Sequence, residues 1–463
     1  MKFSKEDKEM LKRFLSSFSY DNRLAKYDIE VSLAWTKMLS EKKIIDRKKV
    51  SKVIKVLSEL SNNLNQIYPE EDVHFAVEKT IEKILGEDKT LAGVIRTARS
   101  RNDLVVCDER LYLKDEIKNI SVEVLNLVET VINFSEKNME VIMCGNTHLQ
   151  PAQPVLLSHY ILSFGWMLLR DFERLKDCYN RNDVFVLGSA AFAGTTFEID
   201  REMVAKKLGF KYVSENSVDS VSDRDFIMEF VSCCSILMMH LSRMCEEFIL
   251  WLNPNFGYIS LPIELTSGSS IMPQKQNPDY LELIRAKSAR VYSNFVGIST
   301  LMKSLPLSYN RDMQEDKIYL FDTVDTVSDC LRIMNLVMTN IKVNPENLKA
   351  SLRFDYILAT EFANFLVEEF KLEFKLAHKM VNSCISYCLE KKKMLSNLSF
   401  LEMKSFINLK EFSEEKFLKL KKRLDYQNII NSTVAYGGTS PEQVRIQISN
   451  LRKLVKKGKK WYE

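Results

Sequence analysis

Apolar positions recur along much of the chain at alternating steps of four and three. Leu113, Ile117, Ile120, Val124, Leu127, Val131 and Phe134 form one such series, and Leu281, Ile284, Ser288, Val291, Phe295, Ile298 and Met302 another. Leu320, Val324, Val327, Leu331, Met334, Met338 and Ile341 repeat the pattern, as do Ile227, Val231, Cys234, Met238, Leu241, Cys245, Phe248 and Leu252. This spacing puts each set on one stripe of a helix and predicts shallow-angle bundle packing. A fifth long helix is expected after Pro154, from about Val155 to Asn180. Only 13 Gly and 10 Pro interrupt 463 residues, so long uninterrupted elements are expected. The stretch Phe226 to Leu252 carries a second apolar stripe, Phe230, Leu237, Met244 and Trp251. Two apolar faces mean burial on two sides. A single small bundle can hardly cover both, so helices of neighbouring subunits are expected there. The same stretch holds Glu229, His240, Arg243, Glu246 and Glu247, which makes it a poor membrane span. The fold class predicted is all-α. Residues 1–102 read as a mostly helical N-terminal domain, 103–350 as the central long-helix bundle, and 351–463 as a small helical domain.

Composition narrows the function classes. Lys plus Arg exceed Asp plus Glu by 66 − 62, a net charge of +4, which gives no global reason to expect nucleic acid or an anionic membrane as partner. The basic tail (Lys453, Lys456, Lys457, Lys459, Lys460) reads as a solvated end. Nine Cys occur without a Cys-x-x-Cys pair or a Cys/His cluster of zinc spacing, so no metal centre is predicted. Cys233 and Cys234 read as core residues, and reduced thiols suit a cytoplasmic location. The N-terminus alternates charged and apolar residues and does not resemble a signal peptide. No Gly-rich phosphate loop of the GxGxxG or GxxxxGK[ST] type is found, which argues against a nucleotide enzyme.

Polar, breaker-rich segments separate the long helices: Thr97 to Asp103, Gly145 to Pro154, Gly188 to Thr196, Ser267 to Pro278 and Leu305 to Asp316. Polar loops at the ends of rigid helices are where chemistry is usually placed. The segment Ser267 to Asp279 is the richest. Gly268 and three serines make a flexible loop, and Asn277 followed by Pro278 reads as an N-cap and first helical residue. A helix N-terminus beside Lys275 and Asn277 suits a carboxylate. Ser269 and Ser270 sit where a mobile loop can close over a ligand.

The string Gly-Ser-Ser-Ile-Met-Pro-Gln-Lys-Gln-Asn-Pro from Gly268 resembles the signature of the fumarase/aspartase superfamily, whose members release fumarate by β-elimination. Gln274 between Pro273 and Lys275 is the variant typical of argininosuccinate lyases. Further segments resemble that family in its order: PEEDVHFAVE (Pro69 to Glu78), TARSRND (Thr97 to Asp103), GNTHLQPAQP (Gly145 to Pro154), SVSDRDFIMEF and LPLSYNRDMQEDK. The resemblance runs from about Phe14 to Ile448. It implies a central long-helix bundle that forms the core of a homotetramer, with each active site built from three subunits and no cofactor. The reaction implied is cleavage of argininosuccinate to arginine and fumarate.

Such a reaction removes a proton beside a carboxylate, so the site must gather donors and cations around the doubly charged intermediate. By the resemblance, Lys275 and Asn277 fill that role, with Ser100, Asn102 and Thr147 as further donors and Arg101 in the same binding segment. Ser269 matches the family's catalytic serine, read as the base. It must then be held nearly as an alkoxide by positive groups and backbone donors. His148 matches a histidine assigned either as base or as the acid that protonates the leaving nitrogen, and Glu282 its carboxylate partner. Tyr309, Gln314 and Lys317 match residues that bind the arginine half, as do Asn102, Ser17 and Asp21. Two readings compete: a non-catalytic protein on the same scaffold, like delta-crystallin, and a sister lyase acting on another succinyl-amine such as adenylosuccinate. The chain also departs from the family. Arg96-Thr97-Ala98 replaces His-Thr-Gly, Leu104 replaces Gln, the N-terminal Trp-Gly-Gly-Arg-Phe segment is missing, and Phe370-Lys371-Leu372 replaces a Gly-x-Pro stretch. Ala98 matters most, because glycine permits a positive φ that alanine resists.

Overall fold

The computed structural model describes residues 3–462. Five long helices carry the apolar periodicity: α1 (Arg101–Lys137), α2 (Leu157–Asn182), α3 (Asp225–Leu252), α4 (Asp279–Met302) and α5 (Asp316–Asn340). Their predicted stripes are buried, for example Leu113, Ile117, Ile120, Val124, Leu127 and Val131 in α1. The strands among the described residues form only two-stranded ribbons, so the class is all-α as predicted. The longest ribbon is an antiparallel hairpin of β1 (Ile142–Thr147) and β2 (Gln150–Leu156). It corrects two expectations. The segment Gly145 to Pro154 is strand rather than loop, and α2 begins at Leu157 because Val155 and Leu156 pair with Met143 and Ile142.

The described residues fall into two compact units. The first holds the chain up to Val122, Asp171–Met239 and Lys287–Asp329; the second holds Glu123–Arg170, His240–Ala286 and everything from Cys330 onward. Every one of these boundaries falls inside a long helix, so each of α1 to α5 contributes residues to both units. In the first unit, helices Ala25–Glu41, Arg47–Ser61 and Val73–Leu85 pack around Trp35, Met38, Val53, Leu57 and Val77, all fully buried. In the second unit, a separate core forms around Phe362, Phe365, Leu366, Cys384, Cys388 and Phe412.

The second apolar stripe of α3 is covered by this chain alone. Phe230 and Leu237 have no exposed surface, and Met244 and Trp251 are exposed by 1% and 5%. The stripe therefore gives no reason to invoke a neighbouring subunit. By length and hydropathy α3 is apolar enough to cross a membrane, but both its stripes are spent on packing within the chain.

Candidate active site

The flap that carries Ser269 is closed at its base by a two-residue antiparallel ladder, β3 (Ser267–Gly268) with β4 (Gln276–Asn277). The Ser267 hydroxyl donates to the Asp279 carboxylate and fastens the same base to the start of α4. Helix α4 starts at Asp279, and the Pro278 carbonyl accepts from the Glu282 amide. Pro278 thus takes the cap position, and Asn277 lies in the ladder before it, a correction to the expected Asn cap. The ladder leaves Ser269 to Lys275 as a projecting loop, with Ile271 86% exposed at its tip. Within it, the Ser269 hydroxyl accepts from two backbone amides, Ile271 N at 3.3 Å and Met272 N at 3.1 Å. Two N–H dipoles aimed at one oxygen stabilise negative charge on it, which is the support a serine base requires.

Thr147 and His148 occupy the tip of the β1–β2 hairpin. Thr147 pairs with Gln150, so His148 and Leu149 form a two-residue connection, with φ of +55° and +57°. Two successive left-handed residues are the geometry of a tight hairpin turn, a place where Asn-Gly is the unstrained choice. A histidine and a leucine there hold the imidazole outward at the expense of local strain. Thr147, His148, Lys275 and Glu282 are all exposed in the chain. No hydrogen bond or ion pair joins His148 to Glu282 or to Ser269 within it. A cavity of about 1080 Å³ in the second unit is walled by Asn146, Thr147, His159, Arg170 and Gln447. Ser269, Lys275 and Glu282 do not line it.

The remaining predicted residues lie in the first unit, where many are buried and interlinked. The Ser17 hydroxyl donates to Asp21 at 2.5 Å, and the other Asp21 oxygen accepts from Val73 N at 3.1 Å. Burial pushes the Asp21 carboxyl up, while Ser17 and the charges of His74 and Lys317 pull it down. Gln314 Nε2 donates to the Tyr20 hydroxyl at 3.3 Å and to the Leu15 carbonyl at 3.4 Å. Arg101 donates to Asp72 at 2.9 Å, and Asp72 in turn caps the helix that starts at Val73 through Phe75 N. Tyr309 is raised by burial, with the charges of Lys317 and Arg224 opposing that rise. The Lys317 ammonium lies 2.8 Å from Glu109 and 2.9 Å from Asp316. Arg224 completes this buried quartet by pairing with Asp316, and its Nε lies 3.5 Å from Glu109. Two carboxylates and two cations cancel, and for Lys317 the surrounding carboxylates outweigh burial and keep the ammonium protonated.

Sequence reasoning missed Glu109, Arg224 and Asp103. Arg224 and Asp103 stand inside quoted family segments, but nothing in one sequence says what they touch. It also missed a buried group that could hold a cation: Asp28, His74 and Asp108 have ligand atoms within 4.8 Å of one another. Asp28 already takes the His74 Nδ1 at 2.6 Å. Burial lowers the His74 pKa, yet that hydrogen bond and the charges of Asp28, Asp72 and Asp21 win and raise it.

The departure at Ala98 has a structural counterpart. Ala98 sits at φ +61°, the left-handed region that glycine favours. Around it, Trp35 Nε1 donates to the Thr97 carbonyl at 2.8 Å, Arg99 to the Ser32 hydroxyl at 2.9 Å, and Arg96 Nε to Glu78 at 2.7 Å.

A lyase family profile matches residues 1–293, and the profile of the argininosuccinate lyase C-terminal region matches residues 356–431. The argininosuccinate lyase of Syntrophus aciditrophicus is 43% identical over 456 residues, covering 97% of this chain and 94% of that one. The argininosuccinate lyase of Clostridium perfringens is 42% identical over 459 residues, covering 98% and 96%. Among solved structures, EDDS lyase in complex with formate superposes with a TM-score of 0.85 at 22% identity, covering 96% of this chain and 88% of that one.

Proposed function

The chain belongs to the argininosuccinate lyase family, and from that premise we propose that it cleaves argininosuccinate to arginine and fumarate, the last step of arginine biosynthesis. The base takes the proton from the succinyl carbon beside the carboxylate, and the electrons pass into that carboxylate as a doubly charged intermediate. Its collapse expels the guanidino nitrogen, which leaves with a proton from the acid. Lys275, Asn277, Thr147 and Ser100 carry the succinyl charge. Ser17, Asp21, Asn102, Tyr309, Gln314 and Lys317 hold the arginyl half, with Arg101 in the same binding segment as Ser100 and Asn102. Ser269 is the base, and the pair of amides from Ile271 and Met272 on its oxygen is the observation that carries this assignment. His148, with Glu282 as its carboxylate partner in the assembled site, supplies the leaving-group proton.

The working form in this reading is a cytoplasmic homotetramer with shared sites, with a small-molecule substrate and no cofactor, metal, nucleic acid or membrane. Exposed His148, Lys275 and Glu282 and half-buried Ser269, with no hydrogen bond or ion pair joining them, fit a site completed by other subunits. So does α4, which leaves Leu283 56% and Val296 61% exposed. The three-domain division of the chain belongs to the same reading. Purified protein given argininosuccinate is expected to raise fumarate absorbance with no additive, and Ser269→Ala to abolish it while tetramer and substrate binding persist. Turnover of adenylosuccinate instead would favour the sister lyase, and no turnover by a folded tetramer the non-catalytic reading. A near-normal rate in Ser269→Ala would remove Ser269 from the mechanism, and a monomer by light scattering would remove the shared site.

A further inference from the structure

The loop from Gly188 to Gly194 belongs to none of the groups assigned above, yet it is bound directly to the substrate-binding segment. Asp103 is fully buried, and one of its carboxylate oxygens accepts from Gly188 N at 2.9 Å and Ala190 N at 2.7 Å. The other accepts from Ser100 N at 2.9 Å. A second tie runs beside it: Asn102 Nδ2 donates to the Ala191 carbonyl at 3.0 Å. A carbonyl can only accept, so the Asn102 amide is fixed with its nitrogen toward the loop and its Oδ1 directed away. The loop cannot relax into an ordinary extended path. Gly188 has φ +98°, and a Cβ there would lie 2.8 Å from Ile199 Cδ1. Ala190 is left-handed at φ +52°, and Gly194 N closes the turn on the Ser189 carbonyl at 2.9 Å.

We propose that Asp103 is a positioning residue: it clamps the Gly188–Gly194 loop onto the Ser100–Asn102 turn and so fixes the Asn102 carboxamide with its oxygen presented to an N–H group of the substrate. This rests on the lyase reading for the identity of that substrate, but not for the clamp itself. One carboxylate serving three amides has no neutral equivalent, because an amide side chain in its place points an N–H at one of the donors. The clamp acts on binding rather than on bond breaking, since neither Asp103 nor the loop reaches the reacting carbon in the proposed mechanism.

The test compares the wild-type tetramer with Asp103→Asn and, at the far end of the clamp, Gly188→Ala. In both variants the KM for argininosuccinate is expected to rise tenfold or more while kcat falls less than threefold. Hydrogen exchange without substrate reads the clamp itself: the Gly188 and Ala190 amides are expected to be slow in the wild type and at least tenfold faster in Asp103→Asn. Unchanged KM and unchanged exchange in a folded Asp103→Asn would overturn the proposal, as would a loss confined to kcat. Should Asp103→Asn fail to fold, Gly188→Ala decides alone: a KM within twofold of wild type overturns the proposal. A wild type that makes no fumarate, yet shows slow loop amides released by Asp103→Asn, would refute the lyase reading and leave the clamp standing.

Discussion

Replacing Lys317 with methionine removes one charge from a buried set of four and keeps nearly the same volume. In the wild type Glu109, Arg224, Asp316 and Lys317 are 4% exposed or less, and their charges sum to zero. The Lys317 ammonium is the closest cation to Glu109, at 2.8 Å, whereas Arg224 Nε is 3.5 Å from it. Without Lys317, Arg224 must serve two carboxylates, and the net charge left in the interior is −1. Removing one partner of a buried ion pair costs about 3–5 kcal/mol, because the remaining charge stays desolvated. Near-constant volume keeps the packing contribution below about 1.5 kcal/mol. The unfolding equilibrium should therefore shift by roughly two to four orders of magnitude, at about 1.4 kcal/mol per tenfold. The penalty also depends on pH. Burial and Asp316 already raise the Glu109 carboxyl, with Lys317 and Arg224 opposing them. Loss of Lys317 raises it further, so folded variant binds a proton that the unfolded chain has released. Stability then falls as pH rises through the folded pKa of Glu109, and the deficit against wild type is smaller at pH 5.5 than at pH 8. Urea unfolding followed by circular dichroism, at equal protein concentration and at both pH values, measures it. A deficit under about 1 kcal/mol at pH 8, or one that grows toward acid, would refute the charge accounting.

Other expectations concern the two exposed loops. Leu149→Gly should relieve a left-handed residue and stabilise the protein by about 1 kcal/mol, net of the glycine entropy cost, while lowering kcat because the imidazole of His148 is held less firmly; unaltered kcat with unaltered thermal midpoint would count against strain at that turn. Trypsin should cut the unliganded protein after Lys275 in the projecting flap, and Ser267→Ala should speed that cut severalfold by freeing the ladder base from Asp279; an unchanged rate in gel assays would mean that this bond does not hold the flap.

How much of this was legible in the sequence depends on the range of the interaction. Four of the five long helices were readable because a 4-3 repeat needs only neighbouring residues, and three of them start and end within a few residues of the apolar series. The hairpin was not readable. Pro151 and Pro154 interrupt β2, no alternation marks it, and it is held by pairing with β1 and by the Thr439 hydroxyl accepting from Leu156 N at 2.9 Å. The ladder under the Ser269 flap is two residues long, below any periodic signal. The site residues of Ser269, His148 and Lys275 type were found through motif resemblance. Their supports were invisible because they are distant in sequence: Glu109 and Lys317 are brought together by tertiary packing alone, and so are Asp103 and Gly188.

Two of the departures from the family pattern, at Ala98 and Lys371, fall on backbone cost, and this yields a quantitative expectation. Ala98 stands where the family has glycine and has φ +61°. Lys371 follows the helix Ala359–Phe370 as its left-handed cap at φ +55°, the position that glycine most often fills. A left-handed non-glycine residue costs about 1–2 kcal/mol. Glycine returns about 0.5–1 kcal/mol of that through unfolded-chain entropy, so each substitution should gain about 0.5–1 kcal/mol net. The two positions belong to different units and share no bonding partner. Ala98→Gly and Lys371→Gly should therefore add to within about 0.5 kcal/mol in the double variant, measured by thermal or urea unfolding. Destabilisation by Ala98→Gly would mean that the bonds to Thr97, Ser32 and Glu78 depend on a stiff alanine. The positive φ would then be an active part of the binding turn, not a tolerated cost.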